Sequence, residues 1–228
     1  MHGRTLTTRI AVSVAGAAVA TVTAAGATSA SAASATADSQ AARTTSAAPA
    51  EQQADRGGSG TRAEVDYETW KRDVSAVTDE ARPYLEERIS RGAGEKMAIV
   101  LDIDNTSLET HFHPIWELPT PPVEQTLELA RYADSRGVDV YFVTARPGII
   151  HWLTKDNLEK TGYPIDGLYL RDLPDIFDEV SKYKTAKRAE IESKGYKIIA
   201  NIGNTPTDIV GGHAEKTFKL PDYDGALN

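Results

Sequence analysis

A chain of 228 residues, 40% apolar and 25% charged, favours one globular domain with an appendage. A formal net charge of −8 speaks against non-specific binding to nucleic acid or to an anionic membrane. The chain has no cysteine, so no disulfide contributes and stability must come from the core.

Arg4 and Arg9 precede a mildly apolar run over residues 10–25, and Ala30-Ser31-Ala32 has the pattern of a signal-peptidase site. Ser13, Thr21 and Thr23 interrupt the run, which argues against a permanent transmembrane helix. Residues 1–32 therefore read as a signal peptide, and the mature protein is expected to be secreted and free of the membrane. No Arg-Arg pair occurs, so the general secretion route is favoured over the twin-arginine one. Cleavage would remove two arginines and no acid, leaving 23 basic against 33 acidic residues. Residues 33–63 are rich in Ala, Ser, Thr, Gln and Gly and cannot bury enough surface to offset ordering; a disordered linker is expected. Residues 64–228 remain as the domain.

Thr61 and Glu64 have capping-box spacing, and Tyr67, Trp70, Val74, Val77, Ala81 and Leu85 follow at intervals of three and four. This predicts an amphipathic helix that kinks or restarts at Pro83 and ends by Gly92. Residues 97–101 are apolar without alternation, as in a strand buried on both faces of a parallel sheet. That run empties into Asp102-Ile103-Asp104-Asn105-Thr106. Asp is depleted in strands, so two of them beside such a strand need a reason beyond solubility. A calcium loop is set aside, because its glycine position holds Ser107 and its glutamate position His113.

Residues 107–122 hold His111, Phe112, His113 and Trp116 without a period and predict a small lid. His111 and His113 have no third zinc ligand placed by spacing. Pro121 and Pro122 are expected to open a helix through Ser135 that Gly137 stops. Residues 138–143 predict a strand running into Thr144-Ala145-Arg146-Pro147, followed by a helix over 149–160 and a short strand over 167–170. A charged helix over 181–194 leads to a strand over 196–202 that hands over to Gly203-Asn204-Thr205-Pro206-Thr207-Asp208. Residues 217–220 suit an edge strand. This alternation predicts right-handed crossovers and an α/β fold, a three-layer α/β/α sandwich around a central parallel sheet. The carboxyl ends of parallel strands share one edge, where Asp102, Asp104, Thr144, Asn204 and Asp208 would converge beside Lys184. Carboxylates for a cation, with a hydroxyl and an ammonium for anionic oxygens, are the inventory that phosphoryl transfer needs.

With these motifs in order over residues 67–220, the sequence resembles the haloacid-dehalogenase (HAD) superfamily, and within it the acid phosphatases of the secreted class B and plant vegetative-storage-protein type. DIDNT resembles the first motif, Thr144 in FVTAR the second, Lys184 in YKTAKR the third and GNTPTD a variant of the fourth. The resemblance implies a secreted Mg²⁺-dependent phosphomonoesterase with a minimal cap and a small phosphomonoester substrate. Asp102 would be the nucleophile, and Asp104 the general acid and base. Thr144 and the Ala145 amide would hold phosphoryl oxygens, and Lys184 would offset their charge. Asp102, the Asp104 carbonyl, Asn204 and Asp208 would hold Mg²⁺. Arg146 is weighted towards a structural role at the following helix. Asn204 departs from the family pattern, which usually places Asp there. A catalytically weak phosphatase-like binding or storage protein, or a phosphotransferase, are the alternatives.

Overall fold

The computed structural model describes residues 65–227. The leader, the linker and the Thr61 and Glu64 pair lie outside the described residues. The first helix, α1 (Tyr67–Arg91), is capped by Asp66, whose Oδ2 accepts the Thr69 amide at 2.8 Å. It runs through Pro83 without a restart. Its buried stripe, Trp70, Val74, Thr78, Ala81 and Leu85, docks on both sides of the proline, so tertiary packing outweighs the lost backbone bond.

The central strand β1 (Met97–Leu101) is buried at every position. Helix α2 spans Glu124–Ser135 and does not begin at the two prolines. Those prolines form the return of the lid instead: the Glu109 amide donates to Pro121 O, and Leu108 bridges Pro122. Strand β2 (Asp139–Pro147) outruns its expected end at Val143, because Pro147 pairs with Arg171 after a register shift. After a 3-10 turn come α3 (His151–Thr161), β3 (Gly167–Arg171), α4 (Val180–Ser193) and β4 (Lys197–Gly203). The sequence did not announce α5 (Pro206–Ile209), four residues long; β5 (Thr217–Lys219) then completes the sheet.

All five strands are parallel, in the order β3-β2-β1-β4-β5, and β5 is an edge as expected. Alternation in β1 divides the core. Ile99 and Leu101 join Trp70, Leu127 and Leu158 on the face of α1, α2 and α3, while Ala98 and Val100 join Tyr183 and Ile191 of α4. The three-layer sandwich predicted from the sequence is therefore present. The chain builds outward from β1 to β3, then α4 carries it back to β4 on the other side. Strand order reverses between β1 and β4, and open α/β sheets bind ligands beyond the carboxyl ends of such strands.

Candidate active site

A cavity of about 760 Å³ opens at that reversal, with Asp102, Asp104, Ala145, Lys184 and Asn204 on its wall. Asp102 follows β1 directly and extends its pairing, its amide donating to Ile202 O at 3.0 Å. The backbone then coils tightly. The amides of Thr106, Ser107 and Leu108 all converge on Ile103 O, which sends the Ile103 side chain into the core. Asp102 is only 6% exposed, and its Oδ1 accepts a hydrogen bond from Lys184 Nζ at 2.7 Å. Lys184 also donates to Asp208 Oδ1, so one buried ammonium joins two buried carboxylates.

The Asp102 carboxyl is pushed up to about 7: burial raises it most, Lys184 beside it pulls it down, and Asp208 and Asp104 add to the rise. Burial alone would lower the Lys184 ammonium, but Asp102 and Asp208 outweigh it and hold the lysine above its ordinary value.

Asp208 sits behind Lys184. Its other oxygen accepts the Thr205 amide at 2.8 Å and the Thr205 hydroxyl at 2.9 Å, the capping box of α5. Both carboxylate oxygens are thus engaged by the chain itself. Asn201 Nδ2 and Arg188 Nη1 each donate to Asp208 O at 2.8 Å, fixing the same turn from below. Gly203 is required by close approach: a Cβ there would lie 2.3 Å from Asp208 Cβ. Thr144 is fully buried and its hydroxyl oxygen accepts the Arg146 amide at 3.2 Å, leaving Ala145 on the cavity wall.

Arg146 has a different principal partner from the one its sequence position suggests. Its guanidinium holds Asp104 in a fork, Nε to Oδ2 at 3.0 Å and Nη2 to Oδ1 at 2.7 Å, and only Nη1 reaches α3, at Thr154 Oγ1, 3.4 Å away. Arg188 and Asn105 also escaped sequence reasoning, Arg188 because a basic residue on a charged helix carries no mark of burial. Asn105 has φ +54°, and its Nδ2 donates to Leu227 O at 2.5 Å. Its Oδ1 accepts the His111 amide at 2.8 Å and the Thr110 hydroxyl at 3.3 Å, tying the first motif to the lid and to the C-terminal segment. That segment is anchored on α1 by Tyr223, whose hydroxyl donates to Asp73 Oδ2 at 2.7 Å, and it places Leu227 on the cavity wall. The lid is pinned from α1 as well: Tyr67 donates to Glu109 Oε2 at 2.7 Å, and His113 lies between Glu109 and Glu117.

The donor set can be tested against a divalent cation. Among the described residues no group of three or more His, Cys, Asp or Glu is arranged to hold a metal. Asp102, Asn204 and the Asp104 carbonyl remain, since Asp208 is engaged. Asn204 is buried and its Nδ2 has no partner, while its Oδ1 accepts from Thr106 at a long 3.4 Å. Turning the amide over gives Thr106 a donor and presents Oδ1 where the orphaned N–H stood, as a cation would require. Such a set suits a hard ion that keeps several of its waters, which is the habit of Mg²⁺.

The family described as HAD superfamily, subfamily IIIB (Acid phosphatase), matches this chain over residues 19–118 and 117–226. A "Stem 28 kDa glycoprotein" of Glycine max is 34% identical over 106 residues, 45% of this chain and 42% of that protein. A "Stem 31 kDa glycoprotein" from the same plant is 34% identical over 45% of this chain and 36% of its own length. The chain thus spans less than half the length of these two relatives. "Acid phosphatase 1" of Solanum lycopersicum is 24% identical over 67% of this chain and 68% of that one. Among solved structures, the class C acid phosphatase from Bacillus anthracis superposes with a TM-score of 0.57 at 21% identity, covering 69% of this chain and 80% of that one. That last likeness speaks for the fold alone.

Proposed function

Because the chain belongs to the acid phosphatases of HAD subfamily IIIB, we propose that it hydrolyses small phosphomonoesters through a phosphorylated Asp102. The observation that carries this reading is the buried Asp102 carboxylate, held on one oxygen by Lys184 and facing the cavity beside Asp104. Asp102 attacks phosphorus as the ester P–O bond breaks, and Asp104 gives a proton to the leaving alcohol. Asp104 then takes a proton from water as that water attacks phosphorus, releasing phosphate and restoring Asp102. Lys184 offsets the charge gathered by Asp102 and the phosphoryl oxygens. The Ala145 amide, with Thr144 beneath it, is assigned to those oxygens.

Asp102, the Asp104 carbonyl and Asn204 would hold the divalent cation, taken here as Mg²⁺, with Asp208 acting from behind Lys184. When bound, the ion supplies positive charge at the nucleophile and the phosphoryl group. Residues 1–32 would direct secretion, and the acidic balance fits a small anionic substrate met at a local cation site better than nucleic acid or membrane.

Two observations favour a second reading, a weakly active phosphatase-like binding protein. Asn204 supplies a dipole where the family supplies charge, and Asp104 must leave the Arg146 fork to take up a proton. Phosphate release from a panel of aryl and alkyl monoesters, with Mg²⁺ and with EDTA, separates the two. Turnover lost in EDTA supports the enzyme, and no release across the panel supports the binder.

A further inference from the structure

Asp104 stands on the walls of two cavities, the one that holds Asp102 and a second of about 280 Å³ between the lid and α3. Both of its carboxylate oxygens turn to Arg146, which lines the second cavity and not the first. With phosphorus held at Asp102 and Lys184, an alcohol that leaves in line, opposite Asp102 and against Asp104, departs towards that second space. Resting on the hydrolytic reading above, the geometry points to the second cavity as the subsite for the alcohol, and to compact alkyl chains as the alcohols it takes.

The walls are aliphatic. Ile115 and Leu118 come from the lid, and Ile150 and Leu153 from the turn into α3 and its first residues. The polar groups among them are already matched inside the protein. Asn157 Oδ1 accepts the Thr120 amide at 3.0 Å, Asn157 Nδ2 donates to Thr120 O at 3.1 Å, and the Thr120 hydroxyl donates to Glu117 O at 3.3 Å. Thr110 donates to Asn105, both ring nitrogens of His113 face the carboxylates of Glu109 and Glu117, and Arg146 divides its guanidinium between Asp104 and Thr154. A sugar hydroxyl or a base edge seated there gives up its water and meets no free partner, which is the costly case. An alkyl chain carries no such group.

Nor is there a broad aromatic face for a nucleobase. Among the described residues neither cavity has Phe, Tyr or Trp on its wall. Phe112 of the lid packs on Tyr67 and Trp70 instead, with ring centroids 5.0 and 4.7 Å away, and pins the loop. The second cavity also lies just under the ~300–1,000 Å³ of sites that take whole ligands, which suits a chain of a few carbons and not a nucleoside.

The test is a series of primary alkyl phosphates from ethyl to pentyl, whose leaving groups are chemically alike. Their kcat/KM should rise roughly fourfold per buried CH₂, on the order of 50-fold over the series. Glucose 6-phosphate and adenosine 5′-monophosphate should fall at least ~10-fold below pentyl phosphate. Leu153→Asp should cut the pentyl-to-ethyl ratio to below ~5, and because the ratio is internal to each variant it cancels any loss of folded protein. A flat series in wild type overturns the inference, as does a ratio that Val180→Asp, on the wall of the first cavity, lowers and Leu153→Asp does not. Calorimetric titration with ethylphosphonate and pentylphosphonate in MgCl₂ reads the same subsite without turnover. Pentyl affinity higher on the order of 50-fold, with no phosphate released from any ester, would refute hydrolysis and keep the subsite. Release with equal affinities would refute the subsite alone, and neither binding nor release would refute both.

Discussion

Asn204→Asp puts a carboxylate where the family expects one, and its effect on stability should depend on metal. The site now sets Asp102 and Asp208 against one Lys184 ammonium, and position 204 is 1% exposed. Without a cation, a third buried carboxylate meets two others, a cost of about 3–5 kcal/mol for an unpaired buried charge. Removing the orphaned Nδ2–H gives back roughly 1–3 kcal/mol. The net loss of about 2 kcal/mol corresponds to a melting temperature lower by roughly 4–8 °C in EDTA. With Mg²⁺ the same carboxylate becomes a charged oxygen ligand. A direct ligand should count for at least the ~10-fold attributed to outer partners, and each tenfold tightening adds about 1.4 kcal/mol at saturation. MgCl₂ should therefore cancel most of the melting-temperature deficit that the variant shows in EDTA, about 1.4 of about 2 kcal/mol, and half-maximal phosphate release should need at least ~10-fold less Mg²⁺. Equal shifts in both media, or an unchanged metal requirement, would show that position 204 is not a ligand and that the fourth motif is misassigned.

Asp102→Asn should abolish turnover while preserving the circular dichroism spectrum, and wild-type rates would refute the phosphorylated intermediate. The raised Asp102 carboxyl keeps its proton in the folded state after the unfolded chain has lost it, so its contribution is full below about pH 4 and is lost as pH rises towards about 7. Metal-free wild type should lose a few kcal/mol relative to Asp102→Asn across that window, whereas parallel melting curves would contradict the shift. Asp104→Asn should slow alkyl esters more than aryl esters, whose leaving groups need little protonation; equal losses would remove it as the acid. Gly203→Ala should cost about 1–3 kcal/mol in urea unfolding because its Cβ meets Asp208, and a neutral result would show that the turn yields. A chain beginning near Arg62 should keep its melting temperature, and a drop of several degrees would mean that residues 33–63 pack.

The sheet was legible because buried parallel strands write themselves as apolar runs: residues 97–101 are unbroken, and 138–143 and 196–202 are interrupted only by Asp139 and by Lys197 and Asn201. Helix starts were less so. Pro121-Pro122 carries the local signal for a first helical turn, yet the bridge from Leu108 claims it for the lid, a contact between segments that no window of sequence contains. The same reason hid the Arg146 fork on Asp104, which joins residues 42 apart. The resemblance implied a place for Asp208 at the metal; the capping box that occupies its second oxygen depends on Thr205 opening a short helix. Which carboxylate is free is a question of hydrogen-bond partners, and spacing does not record them.

The Asn105 amide bonded to Leu227 has a practical consequence for anyone handling the protein. Chain added beyond Leu227 starts from a residue on the cavity wall whose carbonyl helps seat the loop carrying Asp104. C-terminal tagging should therefore depress phosphate release and leave the melting temperature nearly unchanged, and proteolytic removal of the tag should restore the activity. Equal rates before and after removal would show that the exit path clears the site.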